Sequence, residues 1–359
     1  MQVKSNGATY APKGKAAPVC QPGEFNVGVV GLDHGHINGM CNGLVEAGAS
    51  IALVYDPDRA KVEAFLKLFP DCKVAESRDE VFASSVKLIA TAAVPCDRAE
   101  IGVAAMKAGK DCFSDKPAFT THQGLEAARE TATQTGRRFF IYFSERLHVE
   151  GSVCAGELIK SGAIGKVLNV IGMGPHRLSA DIRPDWFWNK EKYGGILVDI
   201  GCHQIEQIVH FAGAGDARIT LSHVGNYAAP SAFENFGDAT IVCDNGATGY
   251  FKVDWFTPDG LGAWGDGRTL VTGTEGYIEI RKYINVAESQ EGDHVYYVNG
   301  EGEHHISASG KYGFPFFGAM IRDCLDGTEA AMSQEYIFRI SQLAIDAQEN
   351  AQIVGFGGK

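Results

Sequence analysis

The chain has 359 residues, of which 45% are hydrophobic and 21% charged, and its formal net charge at pH 7 is -12. This length exceeds what one ordinary hydrophobic core supports, so two globular domains are expected. The negative charge argues against a nucleic-acid partner, because proteins that bind polyanions concentrate positive charge. No apolar run approaches the roughly 20 residues needed to cross a bilayer, so no membrane partner is expected either.

The cysteines and the first residues of the chain both indicate a cytoplasmic protein. The nine cysteines are odd in number, widely scattered and never spaced as C-x-x-C, which is neither a disulfide framework nor a zinc cluster. Residues 1–24 contain three prolines and lack the apolar core of a signal peptide, and we expect an arm or a disordered tail there. Reduced thiols in the cytoplasm are the simplest interpretation.

Short apolar strands alternate with helices from residue 25 to about residue 146. The predicted elements are, in chain order, strand Asn26–Val30, helix His36–Ala47, strand Ile51–Tyr55, a helix from Asp58 to Phe69, strand Lys87–Thr91, helix Asp97–Ala108, strand Asp111–Ser114, helix His122–Thr135 and strand Arg138–Phe143. Parallel strands need crossover connections, so this alternation predicts a first α/β domain over residues 25–146.

The pattern changes after residue 146 and predicts a second domain over residues 147–359. The elements expected there are helix Val149–Lys160, a helix that contains Asp199, the strand-rich stretches Ile219–Asn226, Ala239–Trp255, Arg268–Tyr283 and His294–His305, and the helices Pro315–Leu325 and Gln334–Ala351. Long strands at hairpin-like spacing favour a large open, mainly antiparallel sheet.

One predicted strand of this sheet suggests a subunit interface. Alternation over Gly249–Trp255 places Tyr250 on one face and Phe251 on the other, so both faces carry more aromatic area than a solvated surface normally shows. We expect a homo-oligomer, a dimer or a tetramer, with residues 216–306 as its contact surface. The arm could reach a neighbouring subunit, with a disordered tail as the alternative.

A glycine turn follows the first strand, where a dinucleotide pyrophosphate needs close approach to the backbone. The turn consists of Gly31, Leu32, Asp33, His34 and Gly35, and it departs from the usual G-x-G-x-x-G pattern. A carboxylate is unfavourable beside a pyrophosphate, so Asp33 is expected to point away or to be paired. The histidines here suggest a metal, but no set of four ligands is completed nearby and no metal is expected.

An acidic residue ends the second strand. Asp56 lies 25 residues after Gly31, where a carboxylate accepts hydrogen bonds from the adenosine ribose hydroxyls and repels a 2′-phosphate. The alternative is that Asp56 or Asp58 only caps the next helix. We assign the cap to Asp58 and the ribose to Asp56, which predicts NAD rather than NADP as the cofactor.

A helix with an aspartate and a histidine four residues apart follows the glycine pair Gly194-Gly195. The spacing places Asp199 and His203 on one helix face, in a polar stripe without lysine or arginine. Such a stripe favours the wall of a cleft, and an ordinary amphipathic surface helix is the alternative.

Aromatic and charged residues are concentrated just before that glycine pair. His176, Arg177 and Trp186 are candidates for substrate contacts, because aromatic faces and charged hydrogen-bond donors suit a sugar site. The same composition suits a subunit interface equally well. Glu145 and Arg146, at the domain junction, either anchor the cleft or pair with each other.

Three motifs stand in a characteristic order along the chain. They are Asp115-Lys116-Pro117, the run from Gly194 to His203, and Gly273-Thr274-Glu275-Gly276. They resemble the E-K-P, G-G-x-L-x-D-x-G-x-H and G-T-E-G hallmarks of the oxidoreductases grouped around glucose–fructose oxidoreductase and inositol dehydrogenase (Gfo/Idh/MocA). The resemblance covers residues 25 to about 350. It departs from the family at the glycine turn, after the fourth strand at Ala92, and at Asp115 in place of glutamate.

The resemblance implies an N-terminal Rossmann domain and a C-terminal α/β domain whose open sheet often mediates oligomerisation. It also implies a catalytic trio at Lys116, Asp199 and His203, with Lys116 and His203 facing the substrate. The cofactor contacts that it implies are the glycine turn, Asp56, Ala92, Asp115 and Lys116. A base that titrates near neutrality suits His203, and a cation that stabilises a developing alkoxide suits Lys116.

These residues predict an NAD-dependent oxidoreductase that transfers hydride between nicotinamide and a secondary hydroxyl of a sugar, cyclitol or glycoside. One alternative is an enzyme that uses transient sugar oxidation with recycled NAD to cleave or eliminate a glycoside. Another is a nucleotide-binding regulator without chemistry, which retention of the lysine, aspartate and histidine disfavours.

Overall fold

The computed structural model describes residues 7–228 and 233–356, and the chain divides into two compact units. The first unit combines Ala8–Tyr142 with Gly313–Ser341, and the second holds the other described residues. The first unit thus ends close to the predicted boundary at residue 146, but a later segment returns to it. The reason is apolar packing, since the Phe317 ring lies against the Phe113 ring, with centroids 6.2 Å apart.

A six-stranded parallel sheet forms the centre of the first unit, in the order β3-β2-β1-β4-β5-β6. Its strands are β1 (Asn26–Val30), β2 (Ser50–Tyr55), β3 (Lys73–Val74), β4 (Leu88–Thr91), β5 (Asp111–Asp115) and β6 (Phe139–Tyr142). The strand order reverses at β1, and open α/β sheets bind ligands at the carboxyl ends of the strands beside such a switch point. The Rossmann-like prediction is confirmed.

The second unit contains a nine-stranded sheet in the order β14-β13-β12-β11-β7-β10-β9-β8-β15. Its strands are β7 (Val167–Pro175), β8 (Ala217–Gly225), β9 (Phe236–Cys243), β10 (Thr248–Asp254), β11 (Arg268–Gly273), β12 (Gly276–Arg281), β13 (His294–Asn299), β14 (Gly302–Ser307) and β15 (Gln352–Val354). The β7–β10 and β8–β15 pairs are parallel and the others antiparallel, which confirms the mainly antiparallel sheet.

Helices pack against both sheets. They are α1 (His36–Glu46), α2 (Arg59–Leu66), α3 (Arg78–Ala83), α4 (Pro95–Lys107), α5 (His122–Thr135), α6 (Ser144–Leu147), α7 (Glu150–Lys160), α8 (Lys190–Tyr193), α9 (Cys202–Ala212), α10 (Pro315–Asp326) and α11 (Gln334–Glu349). Asp58 caps α2 by accepting a hydrogen bond from the Ala60 amide, as predicted. Within the described ranges, no helix is long and apolar enough to span a membrane.

The N-terminal arm packs on its own chain from residue 8 onward. The Ala17 amide donates to the Glu46 carbonyl at 3.0 Å, and the Val19 amide donates to the Ala47 carbonyl at 2.9 Å. The Glu46 carboxylate also accepts the Gly14 amide at 3.0 Å. Residues 8–20 therefore follow α1, whereas residues 1–6 of the predicted arm lie outside the described part of the chain.

Replacing Asp293 with asparagine is expected to raise the free energy of unfolding by an amount that depends on pH. Burial raises the pKa of this carboxyl to about 6, although its Oδ1 accepts the Gly151 amide at 2.8 Å. A raised folded-state pKa contributes stability below the unfolded value near 3.9, and this contribution is lost as pH rises through about 6. Asn at this left-handed position keeps the acceptor without the charge.

Asp293→Asn is therefore expected to raise the free energy of unfolding by about 1 kcal/mol at pH 8 and by almost nothing at pH 4. Urea unfolding at the two pH values measures the difference. An equal change at both values would contradict this assignment.

Candidate functional site

Neighbouring strand ends fix the glycine turn after β1. Gly31 has a φ of 84°, and a Cβ on it would lie 2.6 Å from the Ala93 side chain, so only glycine fits without strain. The Gly31 amide donates to the Tyr55 carbonyl at 3.1 Å, and its carbonyl accepts the Ala92 amide at 3.1 Å. The predicted residue Ala92 thus fixes the turn through its backbone.

Two amides of this turn remain available to an anion. The His34 amide donates to the Ala92 carbonyl at 2.9 Å, whereas the Asp33 and Gly35 amides have no acceptor within residues 7–228 and 233–356. Both precede the N-terminus of α1, where the helix dipole favours negative charge. The turn therefore fits the pyrophosphate of a dinucleotide despite its altered glycine pattern.

Both predicted carboxylates beside the turn are engaged with the protein. The Asp56 carboxylate is buried and accepts the Leu32 amide at 2.7 Å and the Asp58 amide at 2.8 Å. Asp33 pairs with the Lys61 amino group at 2.6 Å, as predicted. Asp56 thus shapes the turn in addition to any contact with a ribose.

Asp115, at the end of β5, is the centre of a buried ion network. Its Oδ1 contacts His36 Nδ1 at 2.8 Å and accepts the Lys116 amide at 2.8 Å. Its Oδ2 lies 3.0 Å from the Arg98 guanidinium and 3.3 Å from His34 Nδ1. Burial acts to raise the pKa of Asp115, but His36 and Arg98 hold it well below its usual range. Asp115 therefore organises other residues of the protein, and its contact with the cofactor stays a prediction.

This network brings together three side chains that are common metal ligands. The nearest ligand atoms of His34, His36 and Asp115 lie within 4.8 Å of one another. The Arg98 guanidinium already lies against the shared carboxylate and would repel a cation. We therefore interpret the cluster as an ion network.

Arg98 joins the loop after β4 to the segment after β5. This fully buried side chain donates from Nε to the Ala93 carbonyl at 2.7 Å and from one terminal nitrogen to the Lys116 and Pro117 carbonyls at 2.5 and 3.0 Å. The backbone of buried Lys116 is thus held by an arginine that the sequence analysis did not assign. The sequence did offer one signal for Arg98, because it follows the fourth strand in the segment where this chain departs from the family motif.

The second unit positions Asp199 and His203 through the glycine pair. Gly195 has a φ of 98°, and a Cβ there would lie 2.3 Å from the Gln348 side chain. Its carbonyl accepts the Asp199 amide at 2.8 Å, and Gln348 accepts the Leu197 amide at 2.9 Å. A π-helical segment, Leu197–Gly201, then leads into α9, so the predicted helix exists with a wider first turn.

Much of the polar stripe of α9 is buried and paired. Glu206 is fully buried, and the single N–H of Arg146 Nε is shared between its two oxygens, with Nε 2.7 Å from Oε1 and 2.9 Å from Oε2. Gln207 accepts the Thr269 hydroxyl at 3.1 Å. The stripe lacks cations of its own because Arg146 supplies one from α6, and Glu145 and Arg146 do not pair with each other.

Glu145 is the centre of a second buried cluster. Its Oε2 accepts hydrogen bonds from Lys282 at 3.0 Å and from Gln204 at 2.7 Å, and its Oε1 lies 3.8 Å from His176 Nε2. Burial acts to raise the pKa of Glu145, but Lys282, His203 and His176 hold it below its usual range. Glu145 thus interacts electrostatically with His176 and His203, two of the three histidines that the sequence singled out.

The predicted substrate residues have different environments. His176 Nδ1 donates to the Gly174 carbonyl at 3.0 Å, and its ring lies 4.5 Å from the Trp264 ring. Arg177 is buried and donates to the carbonyls of Pro258 and Leu261, at 3.2 and 2.8 Å.

Those two bonds engage Arg177 with a loop of the protein itself. Trp186 is half-buried, and its ring centroid lies 6.2 Å from that of Phe187. Of His176, Arg177 and Trp186, His176 is therefore the one that belongs to the Glu145 cluster.

Two protein-family models together match most of both units. An oxidoreductase family with an NAD-binding Rossmann fold matches residues 25–143, and the GFO/IDH/MocA C-terminal domain matches residues 154–279. Among solved structures, a protein from Erwinia carotovora atroseptica is 46% identical, with a TM-score of 0.89 over 92% of this chain and 100% of its own. Levoglucosan dehydrogenase in complex with NADH and L-sorbose has the same fold, with a TM-score of 0.73 at 17% identity over 91% of this chain and 98% of its own.

Two curated relatives are similar over part of the chain. D-xylose dehydrogenase from Paenarthrobacter nicotinovorans is 28% identical over 186 residues, which is 49% of this chain and 45% of that protein. Inositol 2-dehydrogenase from Serratia proteamaculans is 31% identical over 151 residues, which is 40% of this chain and 44% of that protein. The matched region thus spans slightly less than half the length of each.

Proposed function

This chain belongs to the GFO/IDH/MocA oxidoreductase family, and we propose that it is an NAD-dependent dehydrogenase of a secondary hydroxyl on a sugar, cyclitol or glycoside. The observation that carries the proposal is the presence of Lys116, Asp199 and His203 at the family's motif positions, in a chain whose glycine turn offers free amides to an anion. The sugar and inositol dehydrogenases among its relatives support the substrate class.

The proposed roles follow from the chemistry of each side chain. Bound NAD supplies the nicotinamide ring that accepts hydride at C4. His203 takes the hydroxyl proton, which a buried imidazole beside the Phe143 ring does with little competition from water. Lys116 stabilises the developing alkoxide, and Asp199 orients the imidazole or a neighbouring hydroxyl. Glu145 interacts electrostatically with His203.

Identification of the bound nucleotide tests this proposal first. Denaturing the purified protein and analysing the released small molecules by mass is expected to yield NAD or NADH, or the emptied protein is expected to bind added NAD. If the protein neither releases a nicotinamide dinucleotide nor binds added NAD, it is not a nicotinamide-dependent enzyme. Binding without oxidation of any sugar would favour the regulator, and glycoside cleavage without net NAD reduction would favour the transient-oxidation enzyme.

NAD is proposed over NADP because of the Asp56 carboxylate at the end of β2. A 2′-phosphate there would meet a buried negative charge held in place by two backbone amides. We expect NAD to bind on the order of tenfold tighter than NADP, or about 1.4 kcal/mol, with Asp56→Asn narrowing the difference. Titrations with both dinucleotides decide it, and equal or tighter NADP binding would refute the assignment.

We also propose a cytoplasmic homo-oligomer, a dimer or a tetramer. All nine cysteines are free, which supports a reducing compartment. Strand pairing places Leu221, Tyr250 and Tyr277 on one face of the second sheet, and their side chains are 42%, 37% and 45% exposed. Exposed aromatic and aliphatic side chains of this size favour cover by another subunit. Light scattering is expected to give a multiple of 38.5 kDa, and the mass of one chain would contradict the proposal.

A further inference from the structure

Arg183 lies after β7, with one edge of its guanidinium fixed by the backbone. Its Nε donates to the Leu178 carbonyl at 2.8 Å, and its NH2 donates to the Arg177 carbonyl at 3.1 Å. The remaining N–H groups of NH1 and NH2 form a planar fork. Throughout residues 7–228 and 233–356, no acceptor bonds to this fork and no carboxylate lies within 4.0 Å of Arg183.

Two aromatic rings hold this fork in place. The guanidinium carbon lies 4.4 Å from the centroid of Phe187 and 4.8 Å from that of Trp255, and both rings are buried. Contacts of this kind stabilise a cation without neutralising it. Trp255 also contacts the His176 ring, at a centroid distance of 5.4 Å, which places the fork beside a residue of the candidate substrate site.

The charge of Arg183 is therefore uncompensated at short range. Burial lowers the pKa of this guanidinium to about 10, and Asp199, farther than ion-pair distance, acts to raise it. Arg183 is still protonated at neutral pH. Arg183 is half-buried, and withdrawing a cation even partly from water without an ion pair costs free energy, which an anionic ligand would offset. A preorganised planar fork matches the two oxygens of a carboxylate.

We propose that Arg183 binds a carboxylate of the substrate, so that the preferred substrate is a sugar acid or a carboxylated cyclitol instead of a neutral sugar. The inference rests on the proposed function for the reaction, but the binding step is measurable without turnover. The net charge of -12 does not oppose it, because charges beyond about 10 Å are largely screened at 0.1 M salt. A phosphate is less suited, since a dianion normally recruits more donors than one fork.

Binding of matched ligand pairs tests the proposal. Tryptophan fluorescence, for which Trp255 is the local reporter, is followed during titration with glucuronate or glucose and with galacturonate or galactose. Saturating NADH prevents oxidation, and a parallel series omits nucleotide. We expect at least one acid to bind tenfold or more tightly than its neutral partner. Equal affinities, tighter neutral binding, or no binding of any of the four would overturn the proposal.

Variants of Arg183 test whether its guanidinium causes the preference for acids over neutral sugars. Arg183→Met is expected to abolish the tenfold difference, and Arg183→Lys, which keeps the charge without the fork, to retain a smaller one. Arg78→Met, at an exposed ion pair on α3, is the control and should bind as the unaltered protein does. If Arg183→Met folds and still prefers acids, the assignment to Arg183 is contradicted. If Arg183→Met does not fold, an undiminished acid preference in Arg183→Lys contradicts the assignment instead.

The two proposals fail in distinguishable ways. Acid-selective binding that depends on Arg183, without oxidation of any ligand once NAD replaces NADH, would contradict the proposed function alone. Oxidation of neutral sugars with no acid preference would contradict the role of Arg183 alone.

Discussion

Replacing His203 with alanine is expected to lower kcat on the order of 100-fold or more while NADH affinity changes little. The substitution removes the proposed proton acceptor, a buried imidazole coupled to Glu145, and leaves the glycine turn of the first unit unaltered. Steady-state kinetics and an NADH titration measure the two quantities. His210→Ala, at the exposed end of the same helix, is the matched control and should leave kcat nearly unchanged. Near-normal turnover of the His203 variant would show that another group is the base.

Replacing Arg98 with methionine is expected to destabilise the protein by about 3–5 kcal/mol, because it leaves the fully buried Asp115 carboxylate without its guanidinium partner and removes the donor to three carbonyls. Turnover should fall as well, since the Lys116 backbone loses its support. Urea unfolding measures the first effect and kcat, at a temperature where the variant is folded, measures the second.

The effect of Arg98 also has a predictable pH dependence. The lowered pKa of Asp115 contributes stability that is complete above the unfolded value near 3.9 and is lost as pH falls through the lower folded value. The difference between Arg98→Met and the unaltered protein should therefore narrow below about pH 4. Arg78→Met, at an exposed ion pair, is the control. A loss of 1 kcal/mol or less at pH 7 would contradict the network.

Local signals in the sequence were sufficient for much of the fold. Helix α5 has the bounds that the sequence predicts, His122–Thr135, and in the structure a threonine cap and a left-handed glycine mark its ends. Strand β7 was missed because Gly172 and Gly174 weaken its strand pattern. A tertiary contact explains why glycine occurs in this strand, since a Cβ at Gly172 would lie 2.4 Å from the Gln204 side chain of α9. Sequence spacing contains no sign of such a contact.

In the candidate site, too, some features follow from local sequence patterns and others depend on tertiary contacts. Motifs located Lys116, Asp199 and His203, because each stands in a run of residues with a recognisable spacing. Their surroundings were not predictable, because the pairs that form them join distant segments. Lys282 and Glu145 are 137 positions apart and Arg146 and Glu206 are 60 apart, and neither pair carries a local pattern. Burial of these charges becomes acceptable only after folding places each against its partner.

Isotope transfer tests the central claim most directly. The protein is incubated with NAD and a panel of sugars, cyclitols and sugar acids that carry deuterium on their ring carbons, and the nicotinamide and the sugars are analysed by mass and by NMR. The account predicts reduced nicotinamide with one deuterium at C4 and an equal amount of ketone in at least one reaction. Reduced nicotinamide without deuterium, or the absence of both products across the panel, would contradict it.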